Sequence, residues 1–209
     1  MPTVLVVGAS RGIGLGLVDV HLSDGWAVHA TTRGGESPRE HDLLVTHTFD
    51  VRNVDHLDAL VDRVGELDRI IHNAGVMRVA RAEMMEVNTV APIRTVDTLL
   101  QARRLGEGGT VALMTSQLGA RRGRTGGLGD YGDSKAALND EFRAKAPEWA
   151  ATGATSVVIH PGWVRTDMGG AGATLNVAES ATGVKQVMDQ LRPEDNGKFL
   201  TWDGRIHPW

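Results

Sequence analysis

The chain has 209 residues, 41% hydrophobic and 23% charged, with a formal charge of −4 and a pI near 6.0; this is an ordinary globular composition, long enough for one well-buried domain. The acidic balance argues against nucleic acid or an anionic membrane surface as partner, and the absence of cysteine excludes disulfides, thiol nucleophiles and Cys-based metal sites. Eight scattered histidines make no metal-ligand cluster and no apolar run approaches the ~18 residues of a membrane span. No metal is therefore expected. The N-terminal apolar run passes directly into glycines with no basic segment before it, which reads as a first strand and not a signal peptide, so a cytoplasmic location is expected.

Residues 3–7 (TVLVV) form an apolar, β-branched run of the kind buried in a parallel sheet. The run ends in Gly8-Ala9-Ser10-Arg11-Gly12-Ile13-Gly14, followed by a helical pattern to about Ser23. Strand, glycine turn and helix start make a phosphate site, because glycines let the backbone approach the ligand while free N–H groups at the helix start face the anion. The spacing is G-x3-G-x-G and not the commoner G-x-G-x-x-G. A second strand over 26–32 ends in Thr31-Thr32-Arg33, without the carboxylate that holds a ribose 2′-hydroxyl in NAD sites. With Arg33 here and Arg11 in the glycine loop, a 2′-phosphate is better accommodated, so NADP(H) is expected in preference to NAD(H).

A third strand over 43–49 delivers Asp50 and Val51, and Asp50 either accepts from an adenine amino group or caps a helix over 54–64. Strand four, 67–72, leads into Asn73-Ala74-Gly75, small and polar residues suited to the crevice at the carboxyl end of a doubly wound sheet. A helix is predicted over 81–105. Its Pro92 has no N–H for the carbonyl of Asn88, which predicts a kink and a carbonyl free for water. Strand five, 110–115, ends at Ser116. Beyond it lies Tyr131, the single tyrosine, four residues before Lys135 in a helical segment for which Asp130 is a candidate cap. That spacing puts phenol and ammonium on one face, a pairing that lets a phenol exchange protons below its usual pKa of about 10. Strand six (156–160), a helix near 176–191 and a strand near 198–202 follow. Unbroken alternation of β and α predicts one doubly wound α/β domain over 1–209.

Taken in order, GASRGIG, Asp50-Val51, Asn73-Ala74-Gly75, Asn88, TSxxG at Ser116, YxxxK at Tyr131 and HPG at His160 with Thr166 resemble the short-chain dehydrogenase/reductase family across essentially the whole chain. The C-terminal GKFLTWDGRIHPW is similar to the family's C-factor-like branch. The resemblance implies a single-domain Rossmann fold of about seven mostly parallel strands. It implies an NADP(H)-dependent oxidoreductase of the carbonyl reductase type, acting on a small carbonyl or alcohol, in a homodimer or homotetramer. It makes Tyr131 the general acid, or the base in reverse. Lys135 would hold the nicotinamide ribose and lower the Tyr131 pKa, Ser116 would hydrogen-bond the substrate oxygen, and Asn88 would anchor a water through its carbonyl. Thr115 and Ser134 are neighbouring hydroxyls, but Ser116 alone fits the TSxxG frame. The cofactor set implied is Gly8, Ser10, Arg11, Gly12, Ile13, Gly14, Arg33, Asp50, Val51, Asn73, Ala74, Gly75, Tyr131, Lys135, Pro161, Gly162, Val164 and Thr166.

Several features depart from the family pattern. His72 replaces the usual asparagine, the Asn73–Asn88 gap is short, the Ser116–Tyr131 gap is long, and the segment after Thr166 is short and rich in glycine and alanine. Together they predict an open site. Trp163 either lines the substrate pocket or packs structurally. The loop Arg121-Arg122-Gly123-Arg124 either attracts an anionic substrate or is merely solvated. A non-catalytic dinucleotide-binding regulator on the same fold is the rival reading. An extended sugar-nucleotide epimerase would need a larger C-terminal region than 209 residues leave.

Overall fold

The computed structural model describes residues 1–122 and 129–209; Gly123 and Arg124 of the arginine loop lie outside the described residues. Seven strands form one parallel sheet: β1 (Thr3–Val7), β2 (Ala27–Thr32), β3 (Leu44–Thr48), β4 (Leu67–His72), β5 (Leu105–Met114), β6 (Thr155–His160) and β7 (Lys198–Thr201). Their order is β3-β2-β1-β4-β5-β6-β7, with the reversal of winding between β1 and β4. A crevice opens beyond the carboxyl ends of the strands at such a reversal, which is where ligands bind in open α/β sheets.

Both faces of the sheet are covered, as its continuous apolar strands require. Val4, Val6, Ala30, Ile71, Ala112 and Ile159 pack with α1 (Gly12–Ser23) and α6 (Val177–Asp189). On the other face, Leu5, Val7, Ile70, Leu113 and Val158 join Leu57 and Leu60 of α2 (Val54–Arg63). The same core takes Val96 and Leu99 of α4 (Ala91–Gln101) and Leu138 and Phe142 of α5 (Gly129–Ala150).

Four local expectations are corrected. The helix predicted over 81–105 is three pieces: α3 (Arg81–Met85), a π turn (Glu86–Val90) and α4. The Ala91 N–H reaches back five residues to the Glu86 carbonyl, so the distortion around Pro92 is a widened turn. The chain leaves α4 by Gln101 because Arg103 takes a left-handed conformation (φ 52°), its N–H and that of Arg104 closing on Leu100 and Leu99. Strand β5 therefore starts at Leu105, opposite Leu67. It bulges through Gly106–Gly109 before Thr110 meets Arg69.

The cap of α2 is Asn53, whose side chain accepts from the Asp55 and His56 N–H groups, and not Asp50. The Asp50 carboxylate is instead occupied by Arg52, at 3.0 Å from its backbone N and 2.6 Å from Nη2. Asp130 is likewise no cap: α5 already includes Gly129, and Asp130 lies in its first turn paired with Arg81.

Candidate active site

The glycine loop is fixed from three sides. Gly8 N–H donates to Thr31 Oγ1 (3.0 Å), and Gly8 O accepts from Asn73 Nδ2 (2.9 Å). Gly8 has φ 83°, and a Cβ there would stand 2.7 Å from the Ala74 backbone; a Cβ at Gly14 would stand 2.6 Å from Asn73 Nδ2. No side chain fits at either place, and this is the physical reason for the outer glycines of the G-x3-G-x-G spacing. The loop's Ser10 and Arg11 are exposed, and Ile13 packs in part against the core beside α1.

The segment after β6 closes the same crevice. Pro161 O accepts from Ser180 Oγ (2.7 Å), Gly162 turns with φ 87°, and Val164 bridges to Leu175. Thr166 Oγ1 accepts from Gly169 N–H (3.1 Å), and its methyl group faces Gly12. Across the crevice Arg11 pairs with Asp167 at 2.7 Å. Sequence reasoning missed this partner of Arg11, since only the fold brings residues 156 positions apart together. Arg33 lies near enough to Asp50 to help Arg52 depress that carboxyl to about 2. Val51 faces the core, and its carbonyl is taken by Arg94 (2.7 Å).

Deeper in the crevice stand Ser116, Tyr131, Lys135 and Asn88. Ser116 opens the 3₁₀ turn Gln117–Gly119, its Oγ accepting from the Leu118 N–H (3.1 Å) and standing beside the Tyr131 phenol. Burial pushes that half-buried phenol up to about 12 against the opposing influence of Ser116. Lys135 is buried, its Nζ donating to the Met114 carbonyl (2.9 Å), and loss of solvation lowers it to about 8. The expected lowering of Tyr131 by Lys135 is therefore not realised in this state, because the ammonium is turned to the end of β5. His72, fully buried and pushed down to about 3 chiefly by desolvation, with Lys135 adding to the shift, is a neutral imidazole.

The Asn88 side chain makes a set of hydrogen bonds that the sequence did not disclose. Its Oδ1 accepts from Val76 N–H (2.8 Å), while its Nδ2 donates to Val76 O (2.8 Å) and Ser134 Oγ (3.0 Å). Ser134 Oγ in turn donates to the Tyr131 carbonyl (2.7 Å), so the π turn grips the first turns of α5. Thr115 donates to Asn139 Oδ1 (2.6 Å). Both alternative hydroxyls are thus committed elsewhere, and Ser116 is the one beside the Tyr131 phenol. Asn88→Ala strips the part-buried Val76 N–H and carbonyl of their side-chain partner and removes one bond from buried Ser134, and is expected to cost roughly 1–3 kcal/mol in urea unfolding; a loss below about 0.5 kcal/mol would contradict this reading of the network.

Trp163 is half exposed, its indole N–H donating to Gly169 O (2.8 Å), so it is not a core packing residue. Among the described residues no group of three or more His, Cys, Asp or Glu could hold a metal, and no helix is long and apolar enough to cross a membrane.

The family model for short chain dehydrogenases matches residues 2–175. The chain is 36% identical to C-signal of Myxococcus xanthus over 156 residues, covering 69% of this chain and 94% of that protein. It superposes on a Burkholderia multivorans short-chain dehydrogenase/reductase with bound NADP at a TM-score of 0.91 and 33% identity, covering 100% and 99% of the two chains. The Sniffer carbonyl reductase of D. melanogaster aligns at a TM-score of 0.89 and 30% identity over 100% of both chains. Motif order, sheet order and these likenesses agree: the chain belongs to the short-chain dehydrogenase/reductase family of oxidoreductases.

Proposed function

We propose that the protein is an NADP(H)-dependent carbonyl reductase, with Ser116, Tyr131, Lys135 and Asn88 as its catalytic set. The observation that carries the reading is the placing of the Ser116 and Tyr131 hydroxyls beside one another at the carboxyl end of β5. It offers two hydroxyls, one of them a protonated phenol, to a single substrate oxygen. Gly8 and Gly14 let the loop pack against Ala74 and Asn73 where a Cβ would clash, and the backbone N–H groups at the start of α1 suit a dinucleotide phosphate. Residues Gly8 to Gly14, Asn73 to Gly75 and Pro161 to Thr166 would hold the dinucleotide, Asp50 would accept from the adenine amino group, and Arg33 would meet the 2′-phosphate. When bound, NADP(H) supplies the hydride for the carbonyl carbon.

Tyr131 Oη gives its proton to the substrate oxygen as negative charge grows there, and Ser116 Oγ donates to that same oxygen. For Lys135 to assist the phenol, its ammonium must exchange the Met114 carbonyl for the site. The Asn88 carbonyl, beside a proline that cannot donate to it, is where a water would relay protons to Lys135. The test is NADPH oxidation across a panel of aldehydes and ketones. Turnover supports the proposal, and NADPH binding with no oxidation on any member refutes it.

A second reading, a dinucleotide-binding regulator, is favoured by the 36% identity to C-signal. Binding without oxidation would select it. Cofactor choice has its own test. Arg33→Asp is expected to cut the NADPH-over-NADH ratio of kcat/KM by about tenfold or more, one lost charge-assisted contact plus one repulsion. Unchanged ratios in both Arg33→Asp and Arg11→Ala would refute the 2′-phosphate argument.

A further inference from the structure

Behind the catalytic segment lies a second cavity of about 570 Å³, sharing no residue with the Ser116–Tyr131–Lys135 group. Its walls come from the chain after the 3₁₀ turn, the outer face of α5, the start of β7 and the C-terminal residues. The floor is aromatic. Trp209 packs on Phe199, which also lines the cavity, and on Phe142, buried behind it, with ring centroids 5.5 and 6.3 Å away.

The rim is cationic. Arg143 stacks over Trp209 at 5.0 Å from the ring centroid, and neither Arg143 nor Arg122 has a carboxylate partner among the described residues. Arg121 is balanced by Asp140, and Lys198 by Asp195 at 2.6 Å. At the inner end sits Asn139, 2% exposed, whose Oδ1 is held by Thr115 while its Nδ2 has no hydrogen-bond partner among the described residues. A buried amide N–H without an acceptor costs about 1–3 kcal/mol, so an acceptor brought to this donor would be favourable.

We propose that this cavity binds an organic carboxylate carried on a flat apolar body. The ring lies against Trp209, and the carboxylate takes the Asn139 amide N–H with Arg122 and Arg143 at the mouth. Each part answers a feature of the walls: the flat body fills aromatic surface, the negative charge meets two guanidinium groups that have no carboxylate among the described residues, and an oxygen gives the Asn139 N–H an acceptor. The volume lies within the range of small-molecule sites. Thr115 directly precedes Ser116, so the Thr115–Asn139 hydrogen bond joins this site to the catalytic segment.

The probe is naphthalene carboxylate, titrated into the isotope-labelled full chain while the Asn139 side-chain amide is followed by NMR. A saturable shift is expected, weakened about tenfold or more for the neutral naphthalene carboxamide. Asn139→Asp keeps the acceptor for Thr115 but replaces the donor with a like charge, and it is expected to abolish binding. Should that variant not fold, Arg122→Gln with Arg143→Gln lies on the surface and is expected to weaken binding about tenfold. The proposal is overturned by no saturable shift up to about 10 mM, by equal binding of acid and amide, or by shifts confined to Gly8, Gly14 and Tyr131. An Asn139 signal that moves with protein concentration and not with the probe would assign the cavity to a second copy of the chain and also overturn it.

Discussion

Tyr131→Phe is expected to lower turnover by roughly 10³-fold or more, about 4 kcal/mol in the barrier, while NADPH affinity stays within about twofold of the wild type. The substitution removes one oxygen and leaves the ring packed, so unfolding should be barely affected. Near-wild-type turnover on any good substrate would end the assignment. Tyr131 is the only tyrosine, so its ionisation can be followed alone by the phenolate absorbance. In the ligand-free protein it should titrate near 12, not 10. The linkage has a definite sign. Between pH 10 and 12 the unfolded chain has lost this proton and the folded chain keeps it, so stability falls with rising pH across that window. A phenol titrating at or below 10 without ligand would show that Lys135 already acts on it.

Lys135→Met is expected to abolish turnover and yet raise stability at pH 7 by roughly 2 kcal/mol, or ~4–8 °C in Tm. Burial lowers this ammonium to about 8, which means the fold bears a charge it would rather not hold. A thioether of similar length removes that charge at the cost of one hydrogen bond to the Met114 carbonyl. The folded pKa lies below the unfolded one, so the penalty is full below pH 8 and fades as pH rises towards 10.5. The stability gap between variant and wild type should therefore narrow over that interval. A variant less stable at pH 7, or a gap that ignores pH, would refute the account.

Much of this was legible in the sequence because parallel strands buried on both faces are bare apolar runs. TVLVV and SVVIH announce themselves, and the glycines of GASRGIG mark a turn that tolerates no Cβ. Legibility failed where geometry is decided by partners distant in sequence. Leu105 reads as the end of a helix because the glycines after it look like a loop, but Leu67 recruits it into the sheet. Asp50 and Asn53 are both plausible caps by residue type, and Arg52 settles which is free to serve. The direction of the Lys135 side chain, towards Met114, is a rotamer choice that no spacing encodes. Arg11 and Asp167, or Arg122 beside Trp209, meet only after the chain has folded.

The strand order carries a kinetic consequence. β1 is made first but sits inside the sheet, between β2 and a partner that begins more than sixty residues later, Val4 facing Arg69. No neighbouring strands are joined by a hairpin, so each pairing waits for a crossover segment, and such non-local closure slows folding. Until β4 arrives, one side of Val4–Val7 is an unpaired apolar edge, the kind that recruits strands from other molecules. Losses during expression should therefore concentrate in nascent chains that have displayed β1 and not yet supplied β4. A charged substitution on β1 itself would breach the core; a slower temperature or a lower synthesis rate relieves the same exposure without touching the fold.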